Sequence, residues 1–324
     1  MAILRIQLFG KFQISRNGAP VAGLDAARLR ELLAYLLVHR NRTLARENLA
    51  GLFWGEYSKE RARKYLRQSL WQLSTILESK ESKHQWLWVE PEWVQFRSDQ
   101  GLWLDVDEFE SVLQQSAVSK RQRDGNASPT VQENGSLGEE LPLWQKLREA
   151  ADLYRGEFLP GCYQDWCIFE RERLQDLYLK LLDELMDACE ASEEFELGLE
   201  YGMRVLRYDK ARERTHRRLM RLYFLSGDRT GALRQYQRCL MALTEELDIE
   251  PTQLTRTLVE QIRSGTVHPE PRIYLSAASS PDPKKLAEVL VHLNSLRQVF
   301  QTLQKQVTQD IHVVEQLLQE KTGE

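Results

Sequence analysis

The chain has 324 residues, of which 28% are charged and 42% hydrophobic, and its formal net charge is −4. This length allows two core-forming domains, and so small a net charge by itself points to no partner. The sequence contains no apolar run of about 18 residues and no signal-peptide pattern at its N-terminus, so we expect a cytoplasmic protein without a membrane span.

The first 54 residues are predicted to form a small sheet followed by two helices. Residues 4–21 alternate apolar and polar side chains and contain Asn17-Gly18, a dipeptide typical of a tight β-hairpin turn. Leucines recur at helical spacing over residues 24–39, and residues 43–54 are predicted to form a second helix. In the second helix we expect Leu49, Leu52 and Phe53 to face inward.

Residues 58–79 carry the most informative pattern in the chain. One apolar stripe recurs at steps of three and four, which predicts the buried face of a helix. Cationic and amide side chains occupy the outward side, a combination that fits the major groove of DNA. A solvated helix with ordinary surface charge is the alternative. The stripe consists of Ala62, Leu66, Leu70, Leu73 and Leu77.

Two short β-rich runs over residues 86–96 follow this helix and flank Glu90-Pro91-Glu92, which predicts a β-hairpin. The order of sheet, two helices, basic helix and hairpin predicts a winged helix-turn-helix, with the hairpin as the wing. Residues 1–100 contain 16 Lys and Arg against 10 Asp and Glu, whereas the rest contains 28 against 38. A basic module on an acidic body is typical of a protein that presents one face to nucleic acid.

The DNA-binding interpretation assigns candidate roles to individual side chains. Arg pairs bidentately with guanine and Gln with adenine, so the predicted base-reading residues are Arg63, Arg67, Gln68 and Gln72. The predicted phosphate-binding residues are Arg46, Lys59, Arg61, Lys64, Trp93 and Arg97. Which of these residues read bases and which anchor the backbone stays open. Trp71 either packs on DNA or braces the wing.

The sequence after residue 98 is predicted to be mainly helical. A short helix is expected over residues 105–115, followed by a mobile insertion over residues 116–140, which are rich in Ser, Gly, Asn and charge. From Leu143 to about Ile262 the period is helical. Leu185, Leu199 and Arg204 recur as the same residue types 34 positions later, and 34 residues is the tetratricopeptide (TPR) period. The pattern predicts an all-α, TPR-like domain.

A basic cluster lies inside this helical region. Arg214, Arg217, Arg218 and Arg221 fall on one helix face at steps of three and four. Three interpretations stay open for them: ion pairs with the acidic body, contact with polymerase or DNA, and a pocket for an anionic effector such as a nucleotide second messenger.

Nothing in the sequence predicts an enzyme, a cofactor or a metal site. The four cysteines are predicted to be buried free thiols, and they form no zinc-ligand spacing with histidine. A glycine-rich phosphate loop and a Ser/His/Asp or Cys/His set are absent from the sequence. The cysteines are Cys162, Cys167, Cys189 and Cys239.

The last part of the chain is predicted to join copies of the protein. Residues 266–283 contain four prolines and are expected to form an extended linker. Over residues 284–320 a heptad pattern predicts a coiled coil and hence a homodimer or higher homo-oligomer. An amphipathic helix that packs on the helical domain is the alternative. The predicted seam residues are Leu286, Val289, Leu293, Leu296, Phe300, Leu303, Val307, Val314 and Leu317.

About the first 265 residues resemble the SARP-type (AfsR/DnrI/RedD-like) bacterial transcriptional activators. The runs LRIQLFGKFQI, LLAYLLVHRNRTLARENLAGLFW and ARKYLRQSLWQLSTIL look like the OmpR-like winged-helix domain that opens these proteins. The runs LWLDVDEFE, LYRGEFLPGCYQDWCIFERERL and RTHRRLMRLYFLSGDRTGALRQYQRCLMALTEELDIEPTQLT resemble their bacterial transcriptional activation domain. The resemblance divides the chain into a winged-helix domain at 1–98 and a helical domain at 99–265.

This resemblance implies a sequence-specific transcription regulator that acts as an activator. Proteins of this type are expected to bind direct repeats in double-stranded DNA near promoters and to recruit RNA polymerase. The alternative is an effector-gated signalling protein, in which the TPR-like domain binds a ligand or a protein partner and controls the DNA-binding head.

Overall fold

The fold is described from a computed structural model, over residues 4–78, 85–98, 101–124 and 143–266. The predicted coiled coil and its nine seam residues lie outside the described residues. The same holds for nearly all of the predicted linker and for residues 125–140 of the predicted insertion. The predictions of a coiled coil and of self-association therefore stay predictions.

Seventeen elements follow one another over the described residues. The first nine are β1 (Leu4–Gln7), β2 (Gln13–Arg16), β3 (Ala19–Pro20), α1 (Ala27–Val38), β4 (Leu44–Ala45), α2 (Arg46–Trp54), α3 (Lys59–Leu77), β5 (Leu87–Val89) and β6 (Trp93–Phe96). The others are β7 (Leu102–Leu104), α4 (Asp105–Asp124), α5 (Leu143–Leu153), α6 (Asp165–Ala191), α7 (Phe195–Leu206), α8 (Glu213–Leu225), α9 (Arg229–Leu247) and α10 (Gln253–Ser264). The predicted order of sheet, two helices, basic helix and hairpin is confirmed.

The strands form two sheets. The N-terminal sheet has the order β3-β2-β1-β7, and the hairpin sheet has the order β4-β6-β5. The tight turn between β2 and β3 is confirmed, because Asn17 and Gly18 both have positive φ, at 50° and 82°, as the favoured hairpin turn requires. Strand β4, which the sequence did not predict, pairs Leu44 with Val94 of β6 and so fixes the hairpin to the start of α2.

Helices α1 and α2 pack their leucines into the core with one exception. The predicted leucines of α1 are buried, and so are Leu49 and Phe53 of α2. Leu52 is 41% exposed, so its predicted inward position is wrong. Each helical residue turns by about 100°, so Leu52 projects to one side of Phe53, whereas Ala50 and Trp54 complete the buried face.

Helix α4 extends further than the sequence predicts. The low-complexity composition predicts that the helix ends at Gln115, but α4 continues to Asp124. Ser116, the first residue of the predicted insertion, is 1% exposed, and its hydroxyl donates to the carboxylate of Glu184 in α6 at 2.7 Å. The start of the predicted insertion is therefore packed against the helical domain.

The boundary predicted between residues 98 and 99 is crossed by backbone pairing. Strand β7 lies parallel to β1 and pairs Ile6 with Leu104. After β1, the Leu8 carbonyl accepts from the Leu159 amide at 2.9 Å, and the Gly10 amide donates to the Glu157 carbonyl at 3.0 Å. Over the described residues up to 266, the parts on both sides of this boundary consequently belong to one compact unit.

Asp105 is the polar centre of this junction. Its side chain is buried at the start of α4, where its carboxylate accepts from the amides of Leu8 at 2.8 and 2.9 Å and of Phe9 at 2.9 Å. The amide of Val106 adds a further donor at 2.9 Å. Burial raises the pKa of Asp105, and these amide donors oppose that shift.

The helical part is a series of neighbours packed in chain order. Helix α6 packs on α7, α7 on α8, α8 on α9, and α9 on α10. The backbone of α7 packs directly against a side chain of α8, since a Cβ added at Gly202 would lie 2.5 Å from a methyl carbon of Leu219. Over the described residues, no helix combines the length and apolar character that crossing a bilayer requires.

Replacing Asp105 with alanine should destabilise the whole unit. The substitution leaves the amides of Leu8 and Phe9 buried without their acceptor, which costs about 1–3 kcal/mol for each unsatisfied group. We expect the urea midpoint to fall together for the sheet and the helices. Glu108→Ala, an exposed position on the same helical turn, is the control and should change stability by less than about 0.5 kcal/mol. Equal effects of the two substitutions would contradict this role.

Asp107 should make stability depend on pH. Burial raises its pKa to about 6, although Arg40 opposes the shift from 2.6 Å. A raised carboxyl pKa means that the folded state binds the proton more tightly, so this group adds stability as the pH falls from about 7 to 4. Relative to Asp107→Asn, the wild type should gain about 1–2 kcal/mol between pH 7.5 and 4.5, measured by urea unfolding. A constant difference between the two proteins would exclude this linkage.

Candidate nucleic-acid interface

Helix α3 has the two faces that its sequence predicts. The five residues of the predicted apolar stripe are all buried against α1, α2 and the hairpin sheet. Outside this stripe lie six exposed cationic or amide side chains, whereas Gln72 is half-buried on the flank of the helix and is the least available of the predicted base readers. The exposed set comprises Lys59, Arg61, Arg63, Lys64, Arg67 and Gln68.

The N-terminus of α3 adds backbone donors to this face. Ser58 occupies the N-cap position, and its hydroxyl makes no capping hydrogen bond. The first-turn amides of a helix carry partial positive charge and suit an anion such as phosphate. Lys59 and Arg61 are exposed in the same turn, as predicted for phosphate ligands.

Arg46 has a structural role that the sequence did not predict. Its guanidinium donates through Nη1 to the Glu90 carbonyl at 2.9 Å, and its backbone amide donates to the Glu92 carbonyl at 2.9 Å. Burial and the nearby charge of Arg67 lower the pKa of Arg46. Its side chain thus holds the turn of the hairpin against the start of α2, and a phosphate contact by Arg46 stays a prediction.

The hairpin carries an aromatic and cationic stack. The rings of Trp88 and Trp93 are stacked with centroids 6.4 Å apart, and the guanidinium of Arg97 lies 3.5 Å from the centre of a Trp88 ring. The Trp88 indole donates to the Glu90 carboxylate at 2.6 Å. Trp93 and Arg97 are half-buried, and both take part in this stack. Trp71, in contrast, is 67% exposed on α3.

One residue of this surface has no predicted role from the sequence. Glu47, in the first turn of α2, accepts a hydrogen bond from Nε of Arg63 at 2.8 Å. These two side chains line a cleft with Arg46, Arg67 and the hairpin turn. Acidic residues are common in the first turn of a helix, and the sequence carries no signal that links positions 47 and 63.

Most arginines of the α8 cluster form ion pairs with carboxylates of the same chain. Arg218 is 9% exposed and pairs with Asp183 at 3.1 Å. The other contacts are Arg217 with Glu213 at 3.6 Å and Arg221 with Glu190 at 3.3 Å. Of the four predicted patch residues only Arg214 is exposed. The interpretation as ion pairs with the acidic body is therefore favoured, and a partner or effector patch at these residues stays a prediction.

The described part of the chain contains no cluster of three or more His, Cys, Asp or Glu side chains arranged to hold a metal ion. All four cysteines are buried and free, as predicted.

Comparison with known proteins finds a matching family model and a similar regulatory protein. Residues 104–263 match the family model described as "Bacterial transcriptional activator domain". The chain is 25% identical over 285 residues to the regulatory protein AfsR of Streptomyces coelicolor, covering 86% of this chain but 26% of AfsR. The chain thus spans about a quarter of that relative's length.

A solved structure shares the fold. It is Mycobacterium tuberculosis EmbR in complex with a low-affinity phosphopeptide, with a TM-score of 0.64 and 19% identity. The match covers 83% of this chain and 67% of the EmbR chain. At this identity the likeness concerns the fold alone.

Single substitutions of α8 arginines should distinguish the buried, ion-paired positions from the exposed one by their effect on the free energy of unfolding. Arg218→Ala leaves the buried carboxylate of Asp183 with a weaker set of partners, so we expect a loss of about 3 kcal/mol in the free energy of unfolding. Arg214→Ala, four residues earlier and exposed, should change it by less than about 0.5 kcal/mol. Urea unfolding measures both, and a stable Arg218→Ala variant would show that this ion pair is dispensable.

Proposed function

We propose that this SARP-type transcription regulator, whose residues 104–263 form a bacterial transcriptional activator domain, binds double-stranded DNA sequence-specifically as an activator. The observation that carries the proposal is the exposed cationic face of α3 above a fully buried apolar stripe. A helix anchored in this way can enter the major groove without losing its own packing. The winged helix-turn-helix consists of α2, α3 and the β5–β6 hairpin.

Roles within this interface follow from exposure and contacts. Arg63, Arg67 and Gln68 read base edges, because they are exposed and carry the donors and acceptors that guanine and adenine match. Phosphates are bound by the cations near the start of α3, which are Lys59, Arg61 and Lys64, and by backbone amides of its first turn.

The hairpin acts as the wing. Arg46 holds its turn through the Glu90 carbonyl, and the stack of Trp88 and Trp93 stiffens its strands. Arg97 lies on this stack with its guanidinium already oriented, so little side-chain entropy is lost when it meets a phosphate. Gln72 contributes at the edge of the interface at most, because it is half-buried.

The rest of the chain supplies partners other than DNA. We propose that the TPR-like helices α6–α10 present a surface to RNA polymerase at promoters and that the heptads of residues 284–320 join two or more copies on repeated half-sites. The protein works in the cytoplasm and has no enzymatic role. The effector-gated signalling protein remains the alternative; at the α8 cluster itself, three arginines pair with carboxylates of the fold, which favours ion pairing over a pocket for an anionic effector at that face.

The proposal is tested by selection of genomic fragments on the purified full-length protein at physiological salt. We expect recovery of one repeated motif upstream of promoters. Arg63→Ala and Arg67→Ala should each weaken binding to that motif by about 5–150-fold, since a good base contact contributes about 1–3 kcal/mol of discrimination.

The controls separate base reading from phosphate binding. Lys59→Ala should weaken binding to all sequences alike and reduce the slope of log K against log salt by about one. Arg214→Ala, exposed on α8, should leave the motif and its affinity unchanged. Recovery of unspecific DNA by the wild type would contradict the proposed function.

A further inference from the structure

We propose that Glu47 is a specificity-determining positioning residue: it orients the guanidinium of Arg63 so that this side chain presents both terminal amino groups to a guanine. The inference rests on the proposed binding of DNA by α3. It adds a carboxylate of α2 to a surface that the sequence describes only through the cations and amides of α3 and its neighbours.

The contact leaves the recognition atoms of arginine available. Nε of Arg63 donates to Oε2 of Glu47 at 2.8 Å. A guanidinium has five N–H donors in a planar fork, and this bond uses the single donor on Nε. The two terminal nitrogens can still donate in parallel to O6 and N7 of a guanine. The hydrogen bond from Nε already restricts rotation of the Arg63 side chain. Less side-chain entropy is therefore lost when Arg63 binds DNA.

Stability does not explain the pair. The side chains of Arg63 and Glu47 are 61% and 52% exposed, and exposed ion pairs contribute little to folding. Both residues lie in the cleft between α3 and the hairpin turn, where Arg46 and Arg67 also lie. A contact that adds little to folding and lies in a cleft lined by three arginines is better explained by the geometry it imposes on Arg63.

Electrostatics at this point favours a base over a phosphate. The hydrogen bond from Arg63 and the nearby charges of Arg63 and Lys59 lower the pKa of Glu47, so it is ionised at neutral pH. A carboxylate beside Arg63 repels a phosphate, whereas guanine offers neutral acceptors that the terminal amino groups can reach. Arg63 is thereby assigned to base reading, a choice that residue type alone leaves open.

The test compares binding preferences in a selection from randomised DNA duplexes, using the full-length protein and its Glu47→Ala, Glu47→Gln and Arg63→Ala variants. Glu47→Ala should lose about ten-fold in preference for guanine at the position where Arg63→Ala also loses it. Its affinity for unrelated duplexes should stay equal or rise. Glu47→Gln should retain most of the preference, because the amide oxygen still accepts from Nε.

Glu60→Ala is the matched control. Glu60 is a carboxylate in the first turn of α3 whose charge also acts on Arg63, but Nε of Arg63 donates its hydrogen bond to Glu47. Its removal should tighten binding to all duplexes and leave the base preference intact. If Glu47→Ala behaves like Glu60→Ala, with the guanine preference unchanged, the positioning role is overturned.

A double variant and a direct binding control complete the design. Glu47→Ala combined with Arg63→Ala should lose no more preference than Arg63→Ala alone, because the two side chains act as one unit. Additive losses at separate base positions would overturn the proposal. If the wild type itself selects no motif, the proposed function fails and this inference fails with it, which is a different result from an unchanged motif in Glu47→Ala.

Discussion

The buried carboxylate of Asp105 is the interaction on which the rest of the structure depends. It satisfies the amides of Leu8 and Phe9 where β1 ends, and it begins α4 at the same time. A carboxylate buried in this way is costly unless several donors surround it, and here the backbone supplies them. The same side chain therefore satisfies the backbone amides that follow β1 and lies at the first residue of α4, so it links the N-terminal sheet to the helical domain.

Aromatic packing between the first helices and the helical domain supports the proposed DNA-binding face. Tyr35 of α1 makes edge contacts with Phe53 of α2 and Trp166 of α6, with ring centroids 5.7 and 5.1 Å apart. Helices α1 and α2 in turn bury the stripe of α3. The helix that carries the exposed cations therefore packs on helices that in turn contact the helical domain.

Arginine side chains have two different roles in this chain, and the burial of each side chain distinguishes them. On α3, Arg67 is exposed beside other cations, an arrangement suited to an external polyanion. On α8, Arg218 is buried against Asp183 and joins neighbouring helices. The Glu47–Arg63 pair lies between these cases, because it is exposed and yet ordered by one hydrogen bond. Spacing along one helix predicts that charges share a face, but it cannot show what that face packs against.

Local patterns determined much of this protein. The apolar stripe of α3, the turn at Asn17-Gly18 and the hairpin around Pro91 follow from periodicity and turn chemistry within one element or between adjacent strands. Tertiary structure alone decided the pairing of β7 with β1, the role of Arg46 in the hairpin, and the contact of Glu47 with Arg63. These contacts join residues that are distant in sequence, and no periodicity records them. Such contacts form because a buried or clustered polar group takes its partner from whichever element the fold brings within hydrogen-bond distance.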